Sequence, residues 1–461
     1  MIMSIILAAG EGTRMKSKTP KVVHRICGKP LISYIIEASQ NTGSDKNIII
    51  VGKNKGKIIE IIEDNSYKSV KLIEQPIGEE VPYGTGYAVM QAQNEINDED
   101  TVMILNGDTP LIKDNTLKQF LSYHKQEKND VTILTAEIDN PTGYGRIIRC
   151  DDKHTVAAIV EEKDANVDQK KIKEINSGIY CFKGNYLKKA LNNLSNDNAQ
   201  NEYYLTDAIK IFKKIGCKIG AYNINDNTEI MGVNTRVQLA EVESVMRKRI
   251  NEEIMLSGVT IVDPMSTYID NDVRIGRDTI VYPGVSIQGN TVIGEECIIG
   301  NNCRIVDSKI GDNVKVQIST IVESEINDNT TIGPYAYLRP KSKVGSNVKI
   351  GDFVEIKNAS IGDFSKASHL AYIGDAEVGE RVNIGCGVVF VNYDGKNKYK
   401  SIVKDDAFVG SNCNLVAPVI IEEKAFLAAG STITDDVEAY ALSIARARQV
   451  NKSGWVKAKK K

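Results

Sequence analysis

Residues 275–305 read IGRDTIVYPGVSIQGNTVIGEECIIGNNCRI, with Ile275, Val281, Ile287, Ile293, Ile299 and Ile305 six positions apart. The step resumes at Ile326, Ile332, Leu338, Val344, Ile350 and Ile356, and again at Val403, Val409, Leu415, Ile421, Leu427 and Ile433. Glycine often follows the aliphatic residue, as in Ile275-Gly276, Ile293-Gly294, Ile332-Gly333 and Ile384-Gly385. A hexapeptide step of this kind marks a parallel β-helix. Each hexapeptide makes one flat face of a triangular coil and points its aliphatic residue at the axis. Three make a turn, and stacked turns join their aliphatics into one core. Near 390–404 the step is interrupted by NYDGKNKYK (392–400). A polar excursion from a rigid solenoid is a candidate functional loop.

N-terminal to this region the texture changes. A helix is expected over 235–256. Thr235 and Gln238 have capping-box spacing, and Gly258 follows the end. Val242, Met246, Ile250 and Ile254 fall on one face, with Glu243, Arg247 and Lys248 on the other. Further back, apolar runs at 4–8, 47–51, 101–105 and 131–136 read as strands. Stretches such as 30–39 and 88–95 read as helices between them. That alternation implies an α/β sandwich with crossovers. Ligands then sit beyond the carboxyl ends of the strands, near 9–14 and 106–110. The expected division is 1–234, a linker helix 235–256, and 257–461.

Composition fits this plan. A chain of 461 residues is long enough for two or three domains. With 58 basic and 60 acidic residues it has no bulk charge for nucleic acid, and 6% aromatics argues against a base-stacking platform. The start, Met1 to Leu7, lacks a basic n-region and reads as a first strand rather than a signal peptide. No apolar run approaches the roughly 20 residues of a membrane span. A cytoplasmic protein is expected. The 8 cysteines show no C-x-x-C pair and read as free, mostly packed thiols. With 4 His, any metal is expected to be a hard cation on oxygens, such as Mg²⁺.

The segment LAAGEGTRM (7–15), followed by Lys18-Thr19-Pro20-Lys21, is neither a P-loop nor a dinucleotide fingerprint. Small residues after a strand let backbone N–H groups approach phosphates, and Arg14 and Lys21 add charge for a triphosphate. A tight turn with solvated basic residues is the other reading. Asn106-Gly107-Asp108 stands at a strand end, where a carboxylate can hold Mg²⁺. PTGYGRI (141–147), Glu161 and Asn176 follow.

In this order the motifs resemble the sugar-1-phosphate nucleotidyltransferases. The resemblance implies attack of a sugar 1-phosphate on the α-phosphorus of a nucleoside triphosphate, with release of pyrophosphate. It implies that Leu7, Ala8, Ala9 and Gly10 contact the nucleotide. Arg14 and Lys21 would stabilise the pyrophosphate, and Gln75, Gly84 and Thr85 would read the base. Asp108 and Asn234 would hold Mg²⁺. Gly143, Glu161, Asn176 and Asn234 would bind the sugar phosphate.

In the C-terminal region SKASHLAYIGD (365–375) sets His369 among small residues, with Arg339, Glu355 and Lys357 in neighbouring coils. A neutral imidazole is a fitting general base for an amine nucleophile. With FVGSNCNLVAP (408–418) added, the whole chain resembles a bacterial bifunctional family. That family couples glucosamine-1-phosphate N-acetyltransferase to N-acetylglucosamine-1-phosphate uridylyltransferase. This implies a left-handed β-helix after an α/β nucleotidyltransferase domain with a Rossmann-like mixed sheet. The co-substrates would be acetyl-CoA and UTP. The product would be UDP-N-acetylglucosamine, used in peptidoglycan and lipopolysaccharide synthesis, and the assembly a homotrimer.

By the same resemblance His369 is the base and Glu355 orients it. Arg339, Lys357, Tyr372, Asn383 and Lys398 would grip glucosamine 1-phosphate. Cys386, Asn392, Tyr393, Ser411, Ala429 and Arg446 would line the acetyl-CoA site. The chain departs from the family in a longer segment QPIGEEVPYG (75–84), and in Asn106, Ser368 and Cys386. Two further readings stay open: a nucleotidyltransferase whose β-helix only assembles or regulates, and a non-catalytic scaffold.

Overall fold

Strand Ile2–Ala8 lies at the centre of the first sheet because both its faces are apolar. Met3 and Ile5 pack into one hydrophobic cluster and Ile6 and Ala8 into another on the opposite side. The computed structural model describes every residue except Glu11, Asn54, Ser66, Glu79, Glu80, 151–154, Ala199, Lys460 and Lys461. Parts of the first motif, of the 75–84 segment and of the basic tail therefore lie outside the described residues.

The chain divides into two compact units, Met1–Met246 and Arg247–Lys461. In the first, the strand order is Ile219–Ile224, Val131–Glu137, Glu174–Lys183, Thr101–Asn106, Ile2–Ala8, Lys46–Val51, Val70–Glu74. The sheet is mixed. Glu174–Lys183 runs antiparallel to both neighbours, and the remaining pairs on this path are parallel. A hairpin of Arg146–Arg149 and Val156–Val160 branches from it. The expected stretch 88–95 is a helix Thr85–Met90 followed by a 3₁₀ turn Gln93–Glu95.

The expected helix runs over Arg236–Leu256, and the division between the units falls within its span. It begins with a reciprocal capping box. The Gln238 amide N–H donates to Thr235 Oγ1 at 3.2 Å, and the Thr235 amide N–H donates to Gln238 Oε1 at 3.1 Å. Gly258 then takes φ 104°, which an L side chain would resist.

The second unit is a left-handed parallel β-helix of short strands. Backbone register shows the coil length directly. Val281 pairs with Ile299, eighteen residues on, whereas Ile310 pairs with Ile326, sixteen on. Val378 pairs with Val403 across the 392–400 excursion, with the register kept on both sides. The aliphatics predicted to face the axis are buried apart from half-buried Ile275 in the first coil, with Ile287, Ile299, Ile350 and Leu415 at 0% exposure. Buried hydroxyls stitch coil to coil: Thr279 Oγ1 donates to Gly294 O at 2.9 Å and Ser365 Oγ to Gly379 O at 2.7 Å. Two strands, Lys349–Lys357 and Lys366–Gly374, are nine residues long and run unbroken round a corner. Phe353 and Leu370 sit there at φ 58° and 32°.

All 8 cysteines are free thiols; Cys27, Cys181, Cys297, Cys303 and Cys413 are buried and Cys386 is exposed. Among the described residues no helix is long and apolar enough to cross a membrane.

Candidate active sites

The first cavity opens at the carboxyl end of strand Ile2–Ala8. Leu7, Ala8, Ala9, Gly10, Lys21, Gln75, Gly84, Thr85 and Asp108 line it together with Tyr83, Asn106 and Glu202. Gly84 takes φ 118°, and a Cβ there would stand 2.4 Å from the Tyr203 carbonyl oxygen, so only glycine fits. A neighbouring cavity is lined by Arg14, Thr142, Gly143, Ser177 and Asn234 and shares Asn106 and Asp108 with the first. Asp108 therefore borders both compartments. Its backbone is tied to the segment carrying Asn234, for the Val233 amide donates to Asp108 O at 2.9 Å.

Charge converges at that border. Lys21 Nζ lies 2.5 Å from Asp108 Oδ2 and 2.9 Å from Asn234 Oδ1, and Arg14 donates to the same Asn234 oxygen at 3.0 Å. The ammonium marks a point that both oxygens address. Two hard oxygen donors meeting at one cationic point fit Mg²⁺ with phosphate oxygens completing the shell. Among the described residues no group of three or more His, Cys, Asp or Glu side chains is placed to hold a metal.

Glu161 and Asn176 lie behind this loop, against Gly145. The Asn176 amide donates to Gly145 O at 2.8 Å, and its side chain donates to Tyr180 Oη at 2.7 Å. Thr206 Oγ1 donates to Glu161 Oε1 at 3.2 Å, and burial pushes the Glu161 carboxyl above its ordinary range. Neither residue lines the second cavity, although Gly143 and Ser177 do.

In the β-helix a single corner ladder carries His369. Asp352 and His369 are register partners on the two long strands. One coil further, the Gly387 amide donates to Leu370 O; then Asn412 donates to Cys386 O at 2.7 Å, and Gly430 to Ser411 O at 2.8 Å. Arg446 lies beside Gly430, its Cδ 3.7 Å from where a Cβ would stand. Cys386, Ser411, Ala429 and Arg446 thus stack above His369 along one edge.

The sugar-phosphate candidates occupy the face beyond the corner. Tyr372 and Glu355 are register partners there, and Arg339 donates to Glu355 Oε1 at 2.8 Å. Asn392 donates to Asp375 Oδ2 at 2.5 Å and to Tyr372 Oη at 3.3 Å, anchoring the excursion that carries Tyr393 and Lys398. The nearby Lys357 ammonium pushes the Lys398 amine below its ordinary range. Two neighbouring cations suit a phosphate. Asn383 is placed elsewhere, paired with Lys366 and Phe408 at the start of the long strand.

One expectation is corrected. Glu355 is engaged by Arg339, and the carboxylate on His369 is that of Asp352, whose Oδ1 lies 2.8 Å from Nδ1. The physical reason is the corner at Phe353, whose left-handed backbone sets residues 352 and 355 on different faces of the coil. Sequence reasoning missed Asp352 because a uniform 18-residue coil counts back from His369 to Gly351. The coil here has 17 residues, as Lys349 pairing with Lys366 shows.

Comparison with known proteins follows the same division. Residues 3–226 match the nucleotidyl transferase family model, and residues 272–306 and 323–358 match that of the bacterial transferase hexapeptide (six repeats). The chain is 57% identical to the bifunctional protein GlmU of Clostridioides difficile, over 99% of this chain and 97% of that protein. It belongs to the GlmU family. It is also 54% identical to bifunctional protein GlmU of Alkaliphilus metalliredigens, over 99% and 98%, and 53% identical to that of Thermoanaerobacter pseudethanolicus, over 99% and 97%. Likeness to these GlmU proteins runs through both units, so a β-helix serving assembly alone is not favoured.

Proposed function

We propose that the β-helix unit acetylates glucosamine 1-phosphate from acetyl-CoA. The N-terminal unit then transfers uridylyl from UTP to N-acetylglucosamine 1-phosphate, releasing pyrophosphate and UDP-N-acetylglucosamine. The observation that carries this reading is the 57% identity to a bifunctional GlmU protein across 99% of the chain.

In the uridylyl step, a phosphate oxygen of the sugar phosphate attacks the α-phosphorus, and the bond to pyrophosphate breaks. No covalent enzyme intermediate is needed, so the protein acts by positioning and charge. Backbone at Leu7 to Gly10 cradles the nucleotide, and Gln75, Gly84 and Thr85 read the base. Arg14 and Lys21 neutralise the departing pyrophosphate. Gly143, Glu161, Asn176 and Asn234 hold the sugar phosphate. Asp108 and Asn234 would hold Mg²⁺, which supplies charge neutralisation on the phosphates.

In the acetyl step, His369 takes a proton from the amine as nitrogen attacks the thioester carbonyl. The C–S bond breaks and CoA leaves as thiolate, then takes up a proton. Arg339, Lys357, Tyr372 and Lys398 grip the sugar phosphate, and Asn383, placed apart from them on the chain, would join them only across the proposed homotrimer. Cys386, Asn392, Tyr393, Ser411, Ala429 and Arg446 border acetyl-CoA. The corner beside His369 exposes Tyr335, Phe353 and Leu370, at 55%, 57% and 57%. Such a ridge is what a further copy of the chain would cover, and a homotrimer is the assembly proposed. Both co-substrates are cytoplasmic metabolites, which places the work there.

The test is a paired assay on the intact chain with glucosamine 1-phosphate, acetyl-CoA, UTP and Mg²⁺. Free CoA thiol and pyrophosphate are followed separately. Release of both is expected. Pyrophosphate without CoA thiol would return the β-helix to an assembly role. Sedimentation as a monomer at working concentration would overturn the trimer.

A further inference from the structure

Asp352 is the residue on the His369 corner that the resemblance does not assign. Its Oδ1 lies 2.8 Å from His369 Nδ1, and the two residues face each other as register partners on the paired long strands. A carboxylate carries no proton of its own when ionised, so the hydrogen in this bond belongs to Nδ1. That leaves Nε2 with its lone pair, pointing away from Asp352 on a side chain that is 64% exposed. The carboxylate is itself committed: the bond from His369 holds the Asp352 carboxyl below its usual range. Glu355, the other carboxylate on these strands near His369, is occupied by Arg339 at 2.8 Å.

The backbone fixes the pair. Gly351, next to Asp352, approaches so closely that a Cβ would stand 1.9 Å from Ser368 O, the residue before His369. The coils therefore meet without slack on the His369 side. Phe353 stacks on Tyr335 at 5.4 Å between centroids with an interplanar angle of 7°, which steadies the corner from the next coil.

We propose that Asp352 is the positioning residue of the acetyl-transfer site, holding His369 in the Nδ1–H tautomer with Nε2 free to take the amine proton. This rests on His369 being the base. A carboxylate that fixes the tautomer and ring orientation of a histidine base acts through the histidine and never touches substrate.

The experiment has three arms on the intact chain. First, Asp352→Ala is expected to lower kcat for CoA thiol release about 10- to 100-fold, the range for such supporting partners. KM for both substrates should change by less than about twofold. Pyrophosphate release from UTP and N-acetylglucosamine 1-phosphate should be unchanged. Second, Asp352→Asn keeps an oxygen acceptor and is expected to recover most of the lost kcat. Third, ¹⁵N imidazole spectra of the unmodified protein, assigned by subtracting His369→Ala, should show the proton on Nδ1.

Full kcat in Asp352→Ala overturns the proposal, as does a loss confined to KM. If Asp352→Ala does not fold, a proton found on Nε2 in the unmodified protein overturns it instead. Failure of the underlying reading looks different: His369→Ala would then retain acetyl transfer.

Discussion

Glu161 and Glu162 are adjacent on the chain and meet opposite environments. Glu161 is turned inward under Thr206, where burial raises its carboxyl above the ordinary range. Glu162 accepts from buried Arg146 at 2.7 Å and from the Gly143 amide at 3.3 Å, and the Arg146 bond holds it below that range. One strand end thus carries a buried carboxyl, the residue proposed to hold the sugar, and a loop anchor side by side.

The pair separates in pH behaviour. A raised carboxyl gains its proton sooner as pH falls, so an acceptor at Glu161 is lost before an ordinary carboxylate would be. KM for N-acetylglucosamine 1-phosphate should rise on mild acidification, and Glu161→Gln should remove that limb while raising KM at neutral pH by about tenfold. For stability the sign is reversed. A carboxyl raised by folding opposes folding once pH exceeds its folded pKa, so Glu161→Gln should melt no lower than the parent at neutral pH. Glu162→Gln should instead lower the melting temperature by weakening the partner of buried Arg146.

Removing divalent metal should divide the two activities. Chelation is expected to stop pyrophosphate release, for which Asp108 and Asn234 are the proposed metal ligands, while CoA thiol release continues. Asp108→Ala should lower the uridylyl rate by about 10²–10³, the range seen when a preorganised charge-stabilising group is lost. Unchanged pyrophosphate release in excess chelator would remove Mg²⁺ from the account.

Lys398 should give acetyl transfer an alkaline limb. Its amine is held low by the neighbouring Lys357 ammonium, so it loses its proton earlier than an isolated lysine as pH rises. A bound phosphate favours the charged form. KM for glucosamine 1-phosphate should therefore climb on the alkaline side, and Lys398→Arg, which stays protonated, should flatten the climb. Steady-state KM measured from neutral to alkaline pH decides this.

Gly351→Ala should be costly out of proportion to one methyl group. The added carbon meets Ser368 O at 1.9 Å, and backbone must move. Overpacking of this kind costs about 1–3 kcal/mol. Acetyl transfer should fall with it, because the displaced segment leads into His369. Pyrophosphate release serves as the internal control.

Much of the fold was legible because a β-helix writes its coil into its aliphatics. The six-step broke where the structure breaks it. Between Ile305 and Ile326 the inward residues are Ile310, Val316 and Ile321, mostly five apart, with left-handed corners at Asp307, Ile318 and Glu323 replacing longer turns. The hexapeptide family model skips most of that stretch too, stopping at 306 and resuming at 323. In the first unit, Asp108, Asn234, Lys21 and Arg14 could be named from motif order. The antiparallel insertion of Glu174–Lys183 could not, since its buried run looks like any central strand. Asp352 stayed hidden because a single deleted residue in its coil shifts the vertical neighbour of His369 from Gly351 to itself.

The corner ladder is also a ruler. Coils stack at the inter-strand spacing, so the climb from His369 through Cys386 and Ser411 to Ala429 is three steps of about 4.8 Å, roughly 14 Å in all. The reach asked of acetyl-CoA in the proposed site is thus counted in coils. A coil added or removed between His369 and Ala429 would shift thioester and nucleotide ends relative to one another by one full step, whatever side chains it carried.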